Sequence, residues 1–94
     1  MITGELKNGF KYKIADNALK DYTFVVGFSK LEKSPYDFAL FDEVLVTLLG
    51  EKQRTKFVES YMDKDKKVPS DVLLLGFREL LDDAKEKSKE LKNS

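Results

Sequence analysis

The sequence predicts a mainly α-helical, single small domain that opens with a β-hairpin and continues through about four helices. Three observations carry that reading. Phe10, Tyr12 and Ile14 alternate strictly with Lys11 and Lys13, directly after an Asn8-Gly9 pair. From Phe38 onward apolar residues recur at steps of three and four, the period of a helix buried along one stripe. Ser34-Pro35, Gly50 and Val68-Pro69-Ser70 punctuate the chain at helix-length intervals. At 94 residues there is room for one core, and such a chain buries only about 60–65% of the surface it exposes when unfolded.

The hairpin occupies residues 1–15. Asn and Gly both tolerate positive φ, which makes the pair a strong hairpin-turn signal. Two strands alone are marginal, so the apolar face, Leu6, Phe10 or Tyr12, and Ile14, is expected to lie on the helices that follow. A helical body then fills residues 18–84. Asp16 and Asn17 are N-cap residues by type, and the first helix runs from Ala18 or Asp21 to about Glu32. Residues 22–28 are dense in β-branched and aromatic side chains, so propensity alone leaves a strand open there. The second helix is predicted over 35–49, with Ser34 as its cap, Pro35 at the first helical position and Gly50 as its stop. The third is predicted from Glu51 to about Asp63, with Phe57, Val58, Tyr61 and Met62 as its apolar stripe. Asp63 to Lys67 reads as a solvated loop, and Ser70 as the cap of a long fourth helix. That helix repeats Leu73, Leu74, Phe77, Leu80, Leu81, Ala84, Ser88 and Leu91. Residues 85–94 form a charged tail, expected to fray or project from the body.

Composition excludes several classes of function. Lys and Arg total 17 and Asp and Glu total 17, so no net field draws the chain to nucleic acid or to an anionic membrane. Without Cys there is neither a disulfide framework nor thiolate chemistry, and a reducing compartment is permitted. Without His the usual general base near neutrality and the commonest metal ligand are missing. The remaining chemistry would need a deep, water-excluding pocket, which a domain of this size has little volume to build. A non-enzyme that needs no cofactor is therefore expected. No apolar run approaches the roughly 20 residues of a membrane span, and Gly4 and Glu5 interrupt any secretory signal.

The motifs that touch known chemistry fail on spacing. Asp63-Lys64-Asp65 matches the opening of a calcium loop, but Val68 and Leu74 stand where that loop needs Gly and Glu. Gly50-Glu51-Lys52 lacks the upstream Gly and the following Ser or Thr of a phosphate-binding loop. A helix-turn-helix at Val68–Ser70 would offer Asp71, Val72, Leu73, Leu74 and Leu75 to base edges, and those side chains read no base.

One feature resists a purely structural account. In the first helix Tyr22, Val25 and Val26 lie on one side, and Phe24, Phe28 and Leu31 on another, so the helix is apolar nearly all round. A small core covers one face. Either the hairpin covers the other or it meets a second chain, and aromatic anchors are what protein interfaces favour. Tyr22, Val25, Phe28 and Phe77 are the candidate residues of a self-association or client surface.

The order of segments also resembles a known family. The hairpin with Asn8-Gly9-Phe10, then Leu48-Leu49-Gly50-Glu51-Lys52-Gln53, then Tyr61-Met62-Asp63 running to Lys66-Lys67-Val68-Pro69, and the closing Leu91-Lys92-Asn93-Ser94 are similar to the tail assembly chaperones of long-tailed, siphovirus-type phages and prophages of Gram-positive bacteria. Where that family's turn often carries Gly before Val-Pro, this chain has Lys66-Lys67. The resemblance implies a protein of the host cytoplasm, not part of the mature virion, that binds the tape-measure protein and keeps it soluble for tail assembly. It further implies a longer frameshifted product that recruits the tail tube protein. A homo-oligomer is expected from the apolar surface. The alternative is a small regulatory module, of phage or bacterial origin, that binds one globular partner.

Overall fold

In the computed structural model, which describes residues 1–93 and their side chains through residue 90, a two-stranded antiparallel hairpin is followed by four helices. Strand β1 is Ile2–Glu5 and β2 is Lys11–Ile14, paired from Ile2 opposite Ile14 to Glu5 opposite Lys11. The turn is not the two-residue type that the Asn8-Gly9 pair predicts, since the Leu6 N–H still pairs with the Phe10 carbonyl at 2.8 Å across three loop residues. Gly9 takes φ 90°, whereas Asn8 does not enter the positive-φ region. The Gly9 N–H donates to the Leu6 carbonyl at 2.9 Å, and the Asn8 side-chain oxygen accepts from the Phe10 N–H at 3.0 Å. Ile2, Leu6, Tyr12 and Ile14 are buried, while Phe10 is half-buried and meets Phe57 edge-on at 5.3 Å.

After one 3-10 turn at Ala18–Lys20, helix α1 covers Tyr22–Lys33. Residues 22–28 are helical because Asp21 caps them, its carboxylate accepting from the Phe24 N–H at 3.1 Å. Packing then overrides the strand propensity of the segment. Asn17, at the head of the 3-10 turn, makes no side-chain cap. Helix α2, Phe38–Leu49, begins three residues later than predicted. Ser34 closes α1 instead of opening α2, its N–H donating to the carbonyls of Lys30 and Leu31, and Asp37 supplies the cap by accepting from the Leu40 N–H at 3.0 Å. Gly50 at φ 80° serves two helices. Its N–H closes α2 on Val46 at 2.8 Å, and its carbonyl accepts from Arg54 to open α3, Glu51–Glu59.

Helix α3 stops short of the predicted Asp63. The Ser60 hydroxyl donates back to the Phe57 carbonyl at 2.6 Å, and the following backbone tightens into turns. The acidic loop is ordered by Asp63, whose Oδ1 accepts from the N–H groups of Asp65 (2.9 Å) and Lys67 (3.0 Å). Closing it puts Lys66 at φ 62°, a left-handed conformation that costs a residue with a Cβ about 1–2 kcal/mol. Lys66→Gly is therefore expected to raise stability by about 0.5–1 kcal/mol after the flexibility cost of glycine in the unfolded chain. A urea denaturation midpoint that falls in this variant would show that the lysine side chain holds the loop.

Helix α4, Ser70–Asn93, continues through the predicted charged tail as helix. Between residues 85 and 90 no side chain is buried, and Lys87 to Asp83 and Lys89 to Glu86 are the ion pairs along it. Leu91 and the rest of the predicted tail side chains lie outside the described residues. The core runs from Ile2, Leu6, Tyr12 and Ile14 of the hairpin through α2 to Leu73, Phe77, Leu80, Leu81 and Ala84 of α4. Strand β1 lies along α4 and β2 on α2, while α1 packs on α2.

Two glycines mark close approaches. A Cβ on Gly4 would overlap Asp83 and stand 2.6 Å from the Tyr12 ring, and one on Gly76 would overlap the Tyr61 ring. Tyr12 crosses the hairpin over Gly4 and donates to Asp83 on α4 at 2.7 Å. Further along β2, the Gln53 amide behaves like a neighbouring strand. It accepts from the Lys13 N–H at 2.8 Å and donates to the Lys13 carbonyl at 2.7 Å, satisfying an edge that would otherwise face solvent.

Candidate protein-binding surface

Exposed large apolar side chains lie on α1 (Tyr22, Val25), at the entry to α2 (Tyr36, Phe38), after α3 (Met62) and on α4 (Val72, Leu75), and the residues nominated from sequence direct attention to α1. Its core side is set by Phe24 and Leu31. The hairpin lies on α4 and α2, so the alternative in which it blankets the other face of α1 is not the arrangement found. Tyr22 is 81% exposed and Val25 44% exposed. Phe28 is half-buried, stacked on Phe24 at 5.8 Å and tilted against Phe77 at 6.4 Å.

Phe77 belongs to the core rather than the surface. It is 3% exposed, and its ring stands edge-on to Phe41 at 5.2 Å. Helical spacing put it on the same stripe as Leu73 and Leu80, and that stripe is the buried one. Of the four residues nominated from sequence, Tyr22 and Val25 are surface, Phe28 is the bridge, and Phe77 is floor.

Two open apolar depressions flank α1. The one between α1 and α2, about 320 Å³, is lined by Tyr22, Thr23, Val26, Gly27, Leu40, Val44 and Thr47, with Lys30 and Glu43 at its edges. Gly27 sits at the contact of the two helices there, where a Cβ would come 3.2 Å from the Val44 side chain and Val44 would have to give by a few tenths of an ångström. A groove of about 250 Å³ lies between α1 and α4, lined by Phe28, Leu31, Pro35, Leu74, Phe77 and Leu81, with Glu32 and Arg78 at its edges. Sequence reasoning missed two exposed residues of α4, Leu75 at 66% and Val72 at 40%. The signal was present in the unbroken run Val72-Leu73-Leu74-Leu75, because a helix cannot turn four consecutive aliphatics into one core.

The perturbed titrating groups lie elsewhere. Burial, then the hydrogen bond and charge of Asp83, hold the Tyr12 phenol well above the ordinary tyrosine range, and burial with the charge of Glu79 raises Tyr61. Both shifts keep the phenols protonated at neutrality and place no acid or base near pH 7. Among the described residues no group of three or more acidic side chains is arranged to hold a metal ion, and no helix is long and apolar enough to cross a membrane. What the surface around α1 offers is shape and apolar area. No protein-family model, curated protein or solved structure matches the chain.

Proposed function

We propose that this chain is a protein-binding, non-catalytic module whose apolar surface around α1 receives a helical segment of a client, and that it acts as a phage tail assembly chaperone for the tape-measure protein. The observation that carries the reading is α1 itself, with Tyr22 and Val25 exposed between two apolar depressions. Grooves between helices accept the apolar face of an amphipathic helix. A long tape-measure protein with an apolar stripe aggregates unless its length is covered. A cover made of 94-residue units requires many copies. The resemblance in segment order supplies the identity of the client, the host cytoplasm as the place of action, the absence from the finished virion and the tail tube protein as a second partner of a longer product.

Co-expression with the tape-measure protein of the same phage is expected to give a soluble complex containing several copies of this chain per client. Apolar contacts dominate and the net charge is zero, so binding is expected to change little with added salt. Tyr22→Asp is expected to release the client while leaving the fold intact, because the side chain stands in solvent. A client that stays insoluble in excess chaperone, with none recovered in a pull-down, overturns the chaperone reading. Stoichiometric binding to a single globular protein would instead favour the regulatory role.

A further inference from the structure

The α1–α4 groove carries more than apolar area. Six of its eight lining residues are apolar, whereas the α1–α2 depression includes two threonines, a glycine and two charges. Its volume, about 250 Å³, falls below the roughly 300–1,000 Å³ of small-molecule sites, so it suits a side chain better than a ligand. Glu32 stands on its α1 edge and Arg78 on its α4 edge. Among the described residues neither takes part in an ion pair, with each other or with anything else. Asp82, one turn beyond Arg78, is exposed and likewise in no ion pair. On the same helix Leu75, adjacent in sequence to Leu74 of the lining, is 66% exposed.

An acid on one helix and a base on the other, with an exposed leucine one residue from the lining, give this surface the means to complement a second copy of itself. A two-fold axis repeats every contact twice, so Glu32 opposite a second Arg78 also sets Arg78 opposite a second Glu32. We propose that this groove is an interface between two copies of the chain, each seating its Leu75 in the other's groove and pairing its Arg78 with Glu32 of the partner subunit. The dimer leaves Tyr22 and the α1–α2 depression open for a client. It deepens the multi-copy reading above and rests on that reading's premise that the surface around α1 contacts protein, but it requires no client and is tested without one.

The test is sedimentation equilibrium on the purified chain, from micromolar to millimolar protein, with single charge reversals. The wild type is expected to self-associate to a dimer. Glu32→Arg and Arg78→Glu, each alone, set like charges face to face and are expected to weaken the dimer at least about tenfold. Their equimolar mixture is expected to restore it, because each chain then meets an opposite charge on the other. Leu75→Ser is expected to abolish the dimer. Lys30→Glu, on the opposite depression, is expected to leave it unchanged. All four positions are solvent-exposed, and an unaltered thermal midpoint at low concentration checks that each variant folds. A wild type that remains monomeric at millimolar concentration overturns the proposal. So does a dimer insensitive to both reversals and to Leu75→Ser, or a mixture that stays monomeric, or a dimer lost only with Lys30→Glu. Failure to capture the client with the dimer intact counts against the chaperone function alone.

Discussion

Truncation of Phe57 to alanine is expected to lower the unfolding free energy by about 3–5 kcal/mol, a large part of the roughly 5–15 kcal/mol that stabilises a domain of this kind. Phe57 is 0% exposed and is the single buried side chain of α3. Apart from half-buried Val58 the helix is charged or polar, so Phe57 is its main anchor in the core. The ring also links three elements, meeting Phe10 of the hairpin edge-on at 5.3 Å and Tyr61 beyond the helix end at 5.4 Å. The check is urea denaturation followed by circular dichroism. A loss under about 1 kcal/mol would mean that the neighbouring Gln53 and Val58 hold α3 without it.

The junction of hairpin and α4 gives the second large effect. Gly4→Ala places a Cβ where the Tyr12 ring and the Asp83 carboxylate already stand, so Tyr12 must swing out of a site where it is 2% exposed. The expected loss is about 2–3 kcal/mol, against the usual gain from replacing glycine within a strand. Tyr12→Phe keeps the ring and removes only the 2.7 Å hydrogen bond to Asp83, for an expected loss of about 1–2 kcal/mol at neutral pH. The same group ties stability to alkali. Tyr12 is protonated in the folded protein well above the unfolded tyrosine value of about 10. Between those two values the folded chain holds more protons than the unfolded one, so this contribution is complete below about pH 10 and is lost as pH rises above it. Tyr12→Phe should flatten the alkaline decline, with the remainder belonging to Tyr61. An identical alkaline slope in wild type and variant would show that Tyr12 titrates as a free phenol.

The parts of the fold that were legible are those written locally. Alternation at Phe10 to Ile14, the stop at Gly50 and the break at Val68-Pro69 each act within a few residues, and the structure has its elements in that order. Boundaries failed where two caps competed. Ser34 and Asp37 both qualify by type, and the choice between them turned on which carboxyl or hydroxyl reaches an N–H three residues on. Tertiary approaches left no local trace. Gly4 reads as a weak strand residue and Gly76 as a helix defect until Tyr12 and Tyr61 are seen lying across them. The candidate surface was half legible. An all-round apolar α1 pointed to Tyr22 and Val25, but spacing could not tell the buried Phe77 from the exposed Leu75, because that depends on which way α4 is turned against its neighbours.

The bond between Tyr12 and Asp83 joins residues 71 positions apart, and Lys7 reaches Glu79 across 72. The hairpin and α4 are thus joined across the helices between them, and this bears on the order of events in folding. During synthesis the hairpin emerges ahead of the helices; β2 can meet α2 early, but the β1 side, with the Tyr12–Asp83 bond, has no cover until the region around residues 73–84 follows. Helical segments form from near neighbours on the microsecond scale, whereas docking of β1 on α4 is expected to wait for a closure of about 70 residues. Its docking is the step that converts a string of helices into the finished domain. A ribosome-stalled chain ending before α4 would therefore expose Tyr12 to protease, and the complete chain would protect it.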